Sequence, residues 1–223
     1  MKKRIAVVYA VLSSIYLASL LFSPYAYQFV LKALPVALLT LAVVKSTAGI
    51  TRVVLACALI FSLAGDVVLA LPIEYSFLAG LACFFLAHVT YVLSFYCFTK
   101  RADHVQHTNA FSPLAKGLIS LCVLIFALLM AMHILPEANT LFFPVLAYIS
   151  VILTMGLSAI WLGNTRLIIC GAVLFIVSDA VLAQSVFRTP LPLSPFLVML
   201  TYYAAQYCLA FGLMAAFNPD SEN

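Results

Sequence analysis

Two aspartates stand in apolar runs and in the same wording. Residues 60–71 read IFSLAGDVVLAL and residues 173–184 read VLFIVSDAVLAQ, so Asp66 and Asp179 each open the phrase D-x-V-L-A. Two neighbouring carboxylates in a low dielectric cannot both ionise cheaply. One keeps a proton while the other stays charged, which separates an acid from a base. That division suits acid-catalysed cleavage of an acetal-like or enol-ether bond: the acid protonates the substrate, an oxocarbenium ion forms beside the remaining carboxylate, and water is delivered to it. The chain contains no G-x-S-x-G elbow and no H-E-x-x-H pair, so serine-lipase and zinc-hydrolase chemistry have no support in it.

The elements that must position these aspartates follow from composition. Of 223 residues, 66% are hydrophobic and 8% charged, against about a quarter charged in a soluble domain. A surface that poor in polar groups belongs in a bilayer. A span needs about 20 mostly apolar residues. Breaks at Pro, Gly, Asn and charged positions predict eight, at roughly 5–22, 29–44, 53–71, 75–98, 115–135, 141–162, 166–187 and 195–217, the second short and interrupted by Pro35. The expected fold class is all-α, a polytopic membrane helix bundle in one integral membrane domain covering 1–223, with 218–223 a short polar tail. The basic, apolar N-terminus reads as a retained first span rather than a cleaved signal. Nine cations, Lys2, Lys3, Arg4, Lys45, Arg52, Lys100, Arg101, Lys116 and Arg166, fall on one side, and Arg188 and Lys32 on the other. That bias places both termini in the cytoplasm, and a bacterial inner membrane is the expected location.

Several function classes fall away. The net charge of +4 is spread along the chain, so no nucleic acid is expected. The six cysteines sit singly in apolar runs and read as small hydrophobes. His104 and His107 in the polar loop 99–114 lack a third ligand and read as solvated. No metal and no cofactor are expected.

The remaining polar residues converge. Asp66 and Asp179 lie 113 residues apart on the third and seventh spans, on the order of 8–12 Å below the outer boundary. An ionised aspartate at such depth costs about 2.5–3.5 kcal/mol and normally faces a bundle interior or wet cavity. Gly65 and Ser178 precede the two aspartates and allow close helix approach. His88 and Tyr91 share a helix face at i, i+3, and Tyr202 and Gln206 do so at i, i+4, with Tyr203 alongside. Lys32 lies at the outer edge. One shared cavity explains this set more simply than scattered repairs. The matched aspartate helices also suggest a 4+4 internal repeat, with halves 5–98 and 115–217.

The strings LKALPVALL (31–39), LAGDVVLAL (63–71), GLACFFLAHVTYVLSF (80–95), GAVLFIVSDAVLA (171–183) and YYAAQYCLAFG (202–212) resemble, in order, the motifs of the YhhN-like family of membrane lysoplasmalogenases. One departure is Lys32-Ala33, where the family often has Lys-Pro. The resemblance implies hydrolysis of the vinyl-ether bond of a lysoplasmalogen to a fatty aldehyde and a glycerophospho-headgroup. Beyond it, Asp66 and Asp179 are expected to act as the acid/base pair with His88 as a further catalytic group. Tyr91, Tyr202, Tyr203 and Gln206 would orient water and the ether oxygen, and Lys32 and Arg188 would hold the phosphate. Asn at either aspartate is expected to abolish aldehyde release.

Three rivals stand beside this reading: a proton-coupled transporter of a small solute or lipid, a different lipid hydrolase such as a lysophospholipase, and a purely structural membrane protein. Partners beyond the substrate and membrane lipids are not indicated, and the sequence leaves room for a homo-oligomer.

Overall fold

The computed structural model describes residues 2–102, 111–163 and 165–217; His104 and His107 lie outside the described residues. Eight α-helices follow one another: α1 (Lys2–Ser19), α2 (Gln28–Ser46), α3 (Gly49–Leu69), α4 (Ser76–Ala102), α5 (Pro113–Ile134), α6 (Phe142–Ser158), α7 (Arg166–Phe187) and α8 (Ser194–Phe217). Each is long and apolar enough to cross a membrane, α6 together with the helical turns that flank it over Asn139–Gly163. A bilayer interior leaves backbone groups no water to bond, so only internally bonded segments survive there. Among the described residues there is no strand. The fold class matches the expectation.

The helix ends follow local chemistry. Ser112 caps α5, its hydroxyl accepting from the Ala115 amide at 3.2 Å, with Pro113 in the first turn where its missing N–H costs nothing. Thr165 caps α7 in the same way through Ile168. Gly49 takes a positive φ of 63° in the tight link between α2 and α3. Pro35 does not interrupt α2, which runs unbroken for 19 residues. The third span begins at Gly49 and ends at Leu69, two residues before the expected boundary, which leaves Asp66 within one turn of its helix end.

The tightest pairings are α3 with α4 and α7 with α8; α2 lies on α3 and α8, and α4 on α6. Small residues permit these approaches. A Cβ at Gly65 would stand 2.6 Å from the Phe84 ring, and one at Gly171 would stand 3.0 Å from the Leu209 amide nitrogen. The centre is filled by Leu39, Leu55, Leu59, Tyr91, Phe95 and Phe175, all fully buried. By contrast α5 exposes Leu114, Leu118, Leu121 and Leu128 along its length. In water such a stripe would be a liability; in a bilayer it is the lipid-facing surface.

Candidate functional site

α7 carries Asp179 eight residues before its end, which is about 12 Å along the axis. There α6 and α4 meet it with one polar side chain each. The Tyr148 hydroxyl donates to Asp179 Oδ2 at 2.5 Å, His88 Nε2 lies 3.1 Å from the Tyr148 hydroxyl, and His88 Nε2 stands 3.5 Å from the same Oδ2. The His88 ring is fully buried and packs edge-on against Phe175, with centroids 4.7 Å apart. Asp179 retains 16% exposure, and that exposure opens onto a pocket.

The pocket is an open cleft with a cavity volume of about 90 Å³. It is walled by α4, α5, α6 and α7 near the α3–α4, α5–α6 and α7–α8 connections, with Phe84, Phe126, Ile152, Ile176 and Phe187 among its lining. Among the described residues Asp179 and Tyr148 are the only polar side chains on its wall. A carboxyl facing an apolar pocket, with one oxygen anchored from behind, can exchange a proton with whatever occupies that pocket.

Asp66 sits in a second cluster. Lys32 Nζ lies 3.4 Å from Asp66 Oδ1, and the Tyr202 hydroxyl donates to Oδ2 at 2.6 Å. Tyr203 donates to the Lys32 carbonyl at 2.8 Å, and Tyr9 to the Tyr203 carbonyl at 2.7 Å. Asp66 is only 2% exposed and does not line the pocket. Phe175 links the two clusters, its ring 5.5 Å from Tyr202 and 4.7 Å from His88 between centroids. Beside it the Tyr91 hydroxyl donates to Gln206 Oε1 at 2.5 Å. His88 Nδ1 and Gln206 Nε2 are buried without a hydrogen-bond partner among the described residues.

The residues singled out in the sequence therefore gather in two adjacent clusters rather than around one cavity. The clusters share a pattern. Lys32 on α2, Asp66 on α3 and Tyr202 on α8 form one; Tyr148 on α6, Asp179 on α7 and His88 on α4 form the other. Advancing each helix by four places, with α8 passing to α4, converts the first set into the second. The two cations expected at a phosphate are not paired. Lys32 is held against Asp66, whereas Arg188 bonds the His133 carbonyl at 2.7 Å and Glu137 at 3.0 Å, tying the end of α7 to the end of α5. Tyr148 was missed in the sequence, where one tyrosine in an apolar helix reads as core. Its place on α6, four helices on from Lys32 on α2, is the signal that the expected 4+4 repeat could have offered.

Comparison with known proteins gives one family. The YhhN family matches residues 27–213. Lysoplasmalogenase TMEM86B of Homo sapiens is 33% identical over 203 residues, covering 86% of this chain and 77% of that protein. The Rattus norvegicus protein of the same name is 35% identical over 155 residues, covering 68% of this chain and 58% of its own length. Lysoplasmalogenase TMEM86A of Bos taurus is 29% identical over 171 residues, covering 72% and 65%. The matched segments thus span less than two thirds of the rat and bovine relatives. No solved structure matches the chain.

Proposed function

Because this chain belongs to the YhhN family, we propose that it is an integral membrane hydrolase that cleaves the vinyl-ether bond of lysoplasmalogens, the activity carried in its relatives' names. The observation that supports this most is the placement of Asp179 on the wall of an otherwise apolar pocket. An alkenyl chain matches such a pocket, and vinyl-ether hydrolysis begins with a single proton delivered to carbon.

The chemistry then needs few groups. Protonated Asp179 gives its proton to the outer vinyl carbon; the double-bond electrons form the new C–H bond, and the carbon on oxygen becomes an oxocarbenium ion. The Asp179 carboxylate stabilises that cation and takes a proton from the attacking water. The resulting hemiacetal collapses as Asp179 gives that proton to the glycerol oxygen, whose bond to carbon breaks, and takes the proton of the hemiacetal hydroxyl, which becomes the aldehyde carbonyl and leaves Asp179 protonated again. His88, behind Tyr148 and off the pocket wall, holds the Tyr148 hydroxyl against Asp179. Asp66, balanced by Lys32, is the second carboxylate and acts on the cation through space, since Phe175 and Tyr202 intervene. Tyr202 and Tyr203 fix that ion pair, and Tyr91 with Gln206 fixes the interior beside Phe175. Arg188 would exchange Glu137 for the substrate phosphate, a planar donor fork meeting an anion.

The test is product identity. Purified protein in detergent, given a lysoplasmalogen, is expected to release a fatty aldehyde. Release of a free fatty acid, or no product, would overturn the reading.

A further inference from the structure

We propose that Tyr148 is a positioning residue that fixes which oxygen of Asp179 carries the reactive proton, a proposal resting on the vinyl-ether reading above. Both polar neighbours of the carboxyl converge on Oδ2: the Tyr148 hydroxyl at 2.5 Å and His88 Nε2 at 3.5 Å. Among the described residues nothing bonds Oδ1, and Asp179 keeps its exposure toward the pocket.

The direction of the hydrogen bonds follows from the unpartnered atom behind them. His88 is fully buried and its Nδ1 has no partner. A buried N–H without an acceptor is the costlier orphan, while an acceptor left unmet is tolerated more often. Nδ1 is therefore the bare nitrogen and Nε2 carries the hydrogen. Nε2–H then points at the Tyr148 oxygen, which commits the Tyr148 O–H to Asp179 Oδ2. With Oδ2 accepting, the acid proton resides on Oδ1 and faces the pocket. Tyr148 lines that pocket without giving up its own proton, so its part in the reaction is exercised through Asp179.

Tyr148→Phe removes one hydroxyl and keeps the ring. We expect kcat with a lysoplasmalogen to fall about 10-fold or more while KM stays within about twofold. A saturated alkyl-ether lysolipid, which cannot be cleaved, should bind the variant as it binds the wild type and so report an intact fold. Infrared spectra of protein labelled at aspartate carboxyl carbons supply a readout independent of turnover. The protonated Asp179 carbonyl band, identified by its loss in Asp179→Asn, should move to higher frequency in Tyr148→Phe because its acceptor oxygen loses a donor. Unchanged kinetics, a raised KM with kcat intact, or an unmoved band would each overturn the proposal. If the wild type releases no aldehyde while the band still moves, the substrate reading fails and the placement of the proton stands.

Discussion

The two aspartates are alike in sequence and unlike in surroundings, and that difference sets what each substitution does. Asp179 is bonded to the Tyr148 hydroxyl and meets the pocket. Asp179→Asn keeps the shape and removes the exchangeable proton, so aldehyde release is expected to fall by about 10²–10⁴-fold with the protein still folded. Asp66 is paired with a cation out of solvent. Asp66→Asn leaves the half-buried Lys32 without its counter-ion, a loss smaller than the about 3–5 kcal/mol of a fully buried pair, and should lower the melting temperature before it lowers turnover. Adding Lys32→Met removes the stranded charge, so the double variant should regain stability that Asp66→Asn lost. Thermal scans of the wild type and the three variants check this; a double variant less stable than Asp66→Asn alone would show that the ion pair is not the source of the loss. The sequence named both aspartates because a carboxylate in an apolar run is conspicuous. It could not separate their roles, because the cation beside one and the tyrosine beside the other come from helices remote in the chain.

At the scale of elements, membrane helices are the most legible feature of such a chain. Length and apolarity alone locate all eight described helices, because a segment crossing lipid must bond its own backbone and an apolar run of about 20 residues does so as a helix. Proline was the misleading signal: Pro35 marks no break in α2. What sequence leaves hidden is which helices touch, since that rests on close approaches such as Gly171 against the backbone of α8. These approaches are testable. Gly171→Ala puts a methyl group 2.9 Å from the Cys208 Cβ and 3.0 Å from the Leu209 amide nitrogen, and backbone cannot step aside as a side-chain tip can. Overpacking of this kind costs about 1–3 kcal/mol and should lower the apparent melting temperature by several degrees. Gly117→Ala on α5 is the control, since nothing lies within 4 Å of its Cβ position and alanine favours a helix. Equal destabilisation by the two would mean that the α7–α8 approach is not what Gly171 provides. The same reasoning locates Tyr148. That Tyr148 of α6 faces Asp179 is shown by packing and not by the sequence.

Across the whole molecule, charge and pocket lie at opposite ends. Lys3, Arg4, Arg52, Lys116 and Arg166 stand in the first turns of α1, α3, α5 and α7, and Lys45 and Lys100 near the ends of α2 and α4. The pocket lies toward the other end, where Phe77 opens α4 and Phe187 closes α7 with their rings 5.6 Å apart. Positive residues are retained on the cytoplasmic side during insertion, so the pocket mouth is expected to face away from the cytoplasm and meet lysolipid in the outer leaflet. With eight candidate spans among the described residues, the charge bias predicts that both ends of the bundle face the cytoplasm. A fluorescent protein fused at the C-terminus should therefore fold and fluoresce in a bacterial host. Alkaline phosphatase inserted in the α1–α2 connection at residues 23–27 should be active, because it matures only outside the cytoplasm. The reverse pattern would invert the bundle, and the substrate would then have to come from the inner leaflet. The outcome also bears on Arg188. As one of two cations placed outside by the sequence, and the one bonded at the α5–α7 end beside the pocket, it meets a headgroup from the outer leaflet only if the bundle stands this way up. Arg188→Ala should then raise KM for a lysolipid several-fold with kcat little changed, the signature of a contact made equally to substrate and transition state.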